Sequence, residues 1–110
     1  MQQLTALELA AWLQQPDAPL LLDVREPHEY ALVHIPGSRL IPLSDLPQQL
    51  PAIESWQETA QRPIVCICHH GMRSMQAALY LQNMGLADVI NLSGGVHAWA
   101  TQVDTTAATY

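Results

Sequence analysis

Residues 63–74 read PIVCICHHGMRS. The run Pro63 to Cys68 is short and continuously apolar, which predicts a parallel strand buried on both faces. Gly71 marks a loop, and from about Arg73 the pattern changes to helical spacing. Ser74, Ala77, Ala78, Leu81 and Met84 form the inward stripe, with Gly85 as the stop. Strand, loop and helix in succession make a βα unit, and such units specify an α/β domain whose functional loops gather at the C-terminal ends of its strands.

The flanking sequence repeats the alternation. Leu20 to Val24 reads as a second buried strand, with Asp23 near its C-terminal end, and Asp88 to Leu92 as a third. Thr5 and Glu8 have capping-box spacing, and Ala6, Leu9, Ala10 and Leu13 share a face, so a helix is predicted from Ala6 to Gln15. Pro27 to Leu32 suits a short helix, His34 to Gly37 a turn and Arg39 to Ile41 a brief strand. Pro42, Pro47 and Pro51 predict a stretch of short helical turns, with Ser44 as a cap. Ser93-Gly94-Gly95 is a tight connection into a last helix from Val96 to Thr101. Residues 1–103 are expected to form one domain, and residues 104–110, which lack periodicity, a flexible C-terminal tail.

Composition bounds what such a domain can do. Of 110 residues 49% are apolar and 13% charged, enough for one packed core. There is no lysine, and the formal net charge is -6. Phosphate backbones and anionic headgroups are repelled by most of this surface, so neither nucleic acid nor membrane is an expected partner. No stretch approaches the roughly 20 apolar residues of a spanning helix. The first residues also lack the basic flank and apolar run of a secretory signal, so a soluble, cytoplasmic protein is expected. The two cysteines, Cys66 and Cys68, are too close in sequence for a useful staple, which predicts reduced thiols.

The chemistry concentrates after Cys68. A loop between a strand end and a helix start presents successive backbone N–H groups, a cradle for an anion, and a thiolate placed there is favoured by the same partial positive charge. Cys68 is therefore the candidate nucleophile. Gly71 gives the backbone freedom to wrap a small group, Arg73 can bind an oxyanion with two donors, and Ser74 can cap the helix or hydrogen-bond the sulfur. Cys66, inside the strand, reads as core. A zinc site could draw on Cys66, Cys68, His69, His70 and either His34 or His97. Adjacent ligands and the absence of C-x2-C spacing argue against it, so no metal or other cofactor is expected. His69 and His70 are expected to line the site entrance, and His28, His34 and His97 to have surface or capping roles.

The ordered motifs resemble the single-domain rhodanese-like sulfurtransferases. LLDVREPHEYALVHIPGSRLIPL (20–42) is similar to that family's first signature, INLSGGVHAWA (90–100) to its closing one, and CHHGMRS lies between them as the active-site loop. Val33 and Ser38 stand where the family usually has glycine and alanine. The resemblance implies a three-layer α/β/α fold with a five-stranded, mainly parallel sheet in the order 1-5-4-2-3, and Gln2 to Leu4 as the short edge strand. It also implies that Cys68 takes sulfane sulfur from a donor such as thiosulfate as a persulfide and passes it to cyanide or a thiol. The backbone of His69, His70, Gly71, Met72 and Arg73 would then cradle the outer sulfur, and Arg73 would hold the donor's sulfonate. Asp23 and Arg25 would buttress the loop. The implied partners are a small-molecule sulfur donor and acceptor, with a sulfur-relay protein as a further candidate.

Two other classes remain as alternatives. One is a non-enzymatic module that keeps the fold for docking or regulation. The other is a phosphatase or arsenate reductase. These use C-x5-R, whereas Cys68 and Arg73 enclose four residues, a smaller loop suited to sulfur, and no phosphatase-type general acid is identifiable.

Overall fold

The computed structural model describes residues 1–110. Its strands are β1 (Gln2–Leu4), β2 (Leu20–Asp23), β3 (Arg39–Leu40), β4 (Ile64–Ile67) and β5 (Val89–Leu92). Its helices are α1 (Ala6–Trp12), α2 (Pro27–Leu32), α3 (Leu46–Ala60), α4 (Met72–Asn83) and α5 (Gly95–Gln102). All strand pairs are parallel and the order is β1-β5-β4-β2-β3. The implied fold and order are therefore those observed.

Alternation along the central strands divides the core in two, because successive side chains point to opposite faces of a sheet. Leu22, Val24, Ile64, Cys66, Cys68 and Val89 pack with Leu46 and Ile53 of α3 and Ala77, Ala78 and Leu81 of α4. Leu21, Val65, Ile67, Ile90 and Leu92 pack on the other face with Ala6 and Leu9 of α1 and Val96 and Trp99 of α5. Both faces are covered, which explains why β2, β4 and β5 read as apolar runs. In-phase registers, Leu22 opposite Cys66 and Cys66 opposite Asn91, bring the strand ends to one edge of the sheet. The site forms there.

Helix ends follow local chemistry. Thr5 and Glu8 form the expected capping box, with Glu8 N–H donating to Thr5 Oγ1 at 3.2 Å and Thr5 N–H to Glu8 Oε1 at 2.9 Å. α1 stops at Trp12, short of Gln15, because its last turn tightens into i to i−3 bonds at Gln14 and Gln15. α4 is stopped by Gly85, just past its end, with φ of +99°, where Gly85 N–H reaches Gln82 O and Leu86 N–H reaches Leu81 O. Met84, assigned to the inward stripe by spacing, is exposed.

The proline-rich stretch departs from expectation. A single 3-10 turn (Leu43–Asp45) leads into the 15-residue α3, with Pro47 and Pro51 inside it and Asp45 rather than Ser44 at its N-cap. Pro47 lies in the first turn, where an N–H has no intrahelical partner to lose. Pro51 forfeits one hydrogen bond, and burial of Leu46 and Ile53 carries the helix past it. No helix is long and apolar enough to cross a membrane.

Candidate active site

β4 delivers Cys68 to the sheet edge, and α4 starts at Met72, so residues 68–71 must turn sharply. Gly71, with φ of +105°, makes that turn, and its amide donates to Cys68 Sγ at 3.1 Å. A β-carbon at Gly71 would stand 3.2 Å from the Leu92 carbonyl, so glycine is needed for space as well as conformation. The loop's carbonyls are turned away from the sulfur by α5: Val96 N–H donates to Cys68 O at 2.9 Å and His97 N–H to His69 O at 3.0 Å. The first amides of one helix thus fix the loop that precedes another. Gly95 permits this approach, for a β-carbon on it would lie 2.5 Å from His69 O.

Ser74 sits in the first turn of α4 with Oγ 3.3 Å from Cys68 Sγ and 2.6 Å from Asn91 Oδ1. Asn91, buried in β5, also donates through Nδ2 to Gly71 O and Gln3 Oε1, both at 3.2 Å. It joins the loop, α4, β5 and β1 through one side chain. Asn91 is a residue the sequence reading missed. Its only signal was a carboxamide inside the apolar run Val89 to Leu92.

Cys66 is fully buried one pleat behind Cys68 on the same sheet face, and neither cysteine is in a disulfide. Burial, with the Cys68 thiolate as a smaller contribution, pushes the Cys66 thiol up to about 12, so it stays protonated and inert. Its reading as core agrees with this placement. Cys68 itself is 1% exposed, enclosed by the loop it begins.

A second polar group flanks the loop. Arg25 is fully buried and pairs with Asp23 through Nε (3.0 and 3.1 Å) and Nη2 (2.8 Å). The same guanidinium donates to Val33 O at 2.6 Å, Glu29 O at 3.3 Å and Tyr110 Oη at 2.8 Å. Val33 has extended backbone, so the family's glycine is not required there. Glu29 in turn holds Arg73: Nη1 and Nη2 donate to Oε1 and Oε2 at 2.7 and 2.9 Å. The Arg73 guanidinium, opposed by partial burial, holds the Glu29 carboxyl far below the usual carboxylate range, and Glu29 raises Arg73.

Arg73 is thus already paired with Glu29. Its side chain is 37% exposed and keeps further N–H donors outside that pair. Asp23 and Arg25 reach the loop only indirectly, through α2 and Tyr110. Met72 is 81% exposed and His70 is exposed, whereas His69 and Arg73 are partly covered.

Tyr110, in the segment expected to form a flexible tail, lies against the site. Tyr110 stacks on the His69 ring at 3.8 Å with planes 6° apart, and its hydroxyl donates to Glu29 Oε2 at 2.9 Å. Burial and the adjacent His70 lower the His69 imidazole from its ordinary value, which favours its neutral form. Neither Glu29 nor Tyr110 was singled out as a site residue from sequence. Beside the loop, a groove of about 420 Å³ is lined by His70, Met72, Met75, Asn91 and Gly94 among others.

Comparison with known proteins agrees with this construction. Residues 5–102 match the model of the rhodanese-like domain family. The chain is 36% identical over 80 residues to the thiosulfate sulfurtransferase GlpE of Stutzerimonas stutzeri, covering 73% of this chain and 69% of GlpE. It is 36% identical over 106 residues to the Rhodanese-like/PpiC domain-containing protein 12, chloroplastic, of Arabidopsis thaliana, covering 94% of this chain but only 35% of that longer relative. The human single-domain sulfurtransferase TSTD1 superposes with a TM-score of 0.76 at 27% identity, covering 93% of this chain and 97% of TSTD1. The chain belongs to the rhodanese-like sulfurtransferase family.

Proposed function

We propose that Cys68 carries sulfane sulfur between a small donor and a thiophilic acceptor. The Cys68 thiolate attacks the outer sulfur of a donor such as thiosulfate; a new S–S bond forms, the donor's own S–S bond breaks, and sulfite leaves with the electron pair. An acceptor, cyanide or a thiol, then attacks the outer sulfur of the persulfide and returns Cys68 as thiolate. Proton and redox balance need no cofactor. The observation that carries this reading is the Gly71 amide aimed at Cys68 Sγ in a loop whose carbonyls are held outward by α5. Such a loop suits an anionic outer sulfur and has little room for a tetrahedral phosphate.

Ser74 adds a hydroxyl to the same sulfur, and the exposed part of Arg73 stands ready for the sulfonate end of the donor. A sulfur-relay protein that docks here would meet a chain of net charge -6, so a basic contact surface is the complementary one. Incubation with thiosulfate followed by intact-mass measurement is the test. One added sulfur atom is expected, absent in Cys68→Ser; a wild-type mass that does not change would overturn the reading.

A further inference from the structure

Adjacency in sequence argued against His69 and His70 serving one ion, because adjacent ligands are geometrically awkward. The structure places both in the bend after β4, where their rings lie on the same side with centroids 3.9 Å apart. His97, in the first turn of α5, brings a third ring to 5.1 Å from His70 and 6.2 Å from His69. One ring nitrogen from each residue can be chosen so that all lie within 4.8 Å of one another.

We propose that His69, His70 and His97 form a binding site for a divalent transition-metal ion of the zinc type, one residue along the loop from Cys68. Tetrahedral coordination at 2.0–2.1 Å sets ligand nitrogens roughly 3.4 Å apart, a closure within reach of rotation by the exposed His70 and His97 side chains. Two features hold the site in advance. The His97 amide is bonded to His69 O at 3.0 Å, which fixes the spacing of loop and helix, and Tyr110 stacks behind the His69 ring. His69 Nε2 is, moreover, a buried nitrogen with no hydrogen-bond partner, the kind of atom that structures rarely leave unsatisfied.

The donor set selects the ion. Three neutral imidazoles suit Zn²⁺, Ni²⁺ or Cu²⁺ and not Mg²⁺ or Ca²⁺, which take oxygen ligands. Three protein ligands leave an open position, the arrangement of an exchangeable or reactive site and not of a closed structural one. Cys66 is buried in the core, and His34 is stacked on Tyr30 at 3.9 Å, so neither joins the cluster.

Calorimetric titration of the chain with Zn²⁺ alone decides the matter, with Mg²⁺ as the contrast. One Zn²⁺ per chain is expected, weakened at least tenfold by His97→Ala and by His70→Ala and unchanged by Cys68→Ser. Both histidines are exposed, and His97→Gln offers a second, more conservative variant. Absence of Zn²⁺ binding, equal affinity in the His97 variants, or loss of binding in Cys68→Ser would each overturn the proposal. Because heat of binding is read and not sulfur transfer, this test and the persulfide measurement fail independently.

Discussion

The hydroxyl of Ser74 has one proton and two neighbours that can accept it, Asn91 Oδ1 at 2.6 Å and Cys68 Sγ at 3.3 Å. While Cys68 is a thiol, the S–H can donate to Ser74 and the hydroxyl to Asn91. Once the sulfur is anionic it needs donors, and Ser74 must share or redirect its proton. Ser74→Ala removes that adjustment and leaves the buried Asn91 oxygen without its partner. The expected cost is about 1–3 kcal/mol in urea unfolding and roughly tenfold slower persulfide formation, in line with one lost charge-assisted bond. A variant as fast as wild type would show that the Gly71 amide alone suffices. Cys68, Gly71 and Ser74 were legible in the sequence because strand end, turn and helix start are local signals. Asn91 was not, since an amide in an apolar run does not reveal what it will face.

Among elements, the decisive contact is the N-terminus of α5 against the loop from β4 to α4. Two amides of α5 bind Cys68 O and His69 O, and this approach exists only because Gly95 has no side chain. Gly95 also has φ of +58°, where a β-carbon adds strain. Gly95→Ala should therefore cost about 1–3 kcal/mol from backbone strain alone, and more from the clash with His69 O. Persulfide formation should fall with it, and thermal unfolding beside the thiosulfate assay checks both. Retention of full activity at unchanged melting temperature would contradict this account of the loop. The paired glycines were visible as a tight connection, but which loop they admit was not. α3 shows the converse error: prolines predicted short turns, and tertiary burial of Leu46 and Ile53 overrode them.

For the molecule as a whole, Glu29 makes stability depend on acid. It accepts from Arg73, Tyr110 and the Glu26 amide, which together hold its carboxyl well below the ordinary value of 4.5. A carboxylate depressed in the folded state contributes its stabilisation fully above the unfolded value, and that contribution is lost as pH falls through and below 4.5. Glu29→Gln should thus be less stable than wild type by about 1–3 kcal/mol at pH 7, and the gap should narrow at pH 3. Urea midpoints at the two pH values measure this; an equal gap at both would place the effect in packing and not in charge. The pair is also a long-range tie, since Glu29 and Arg73 are 44 residues apart and Tyr110 lies 81 beyond Glu29.

Local sequence specified the alternation of strands and helices, the size of the loop from Cys68 to Arg73, and the separation of Cys66, inside a buried strand, from Cys68 at the strand's end. These follow from periodicity, turn residues and spacing, which act over a few positions along the chain. Strand order came only through resemblance to a known family, because local patterning does not say which strands become neighbours. Tertiary structure alone decided that Arg73 is tied to Glu29, that Ser74 answers to Asn91, that Tyr110 covers His69, and that three histidines from loop and helix converge. Each is a meeting of polar side chains from different elements, fixed by sheet register and helix placement and therefore absent from any single stretch of sequence.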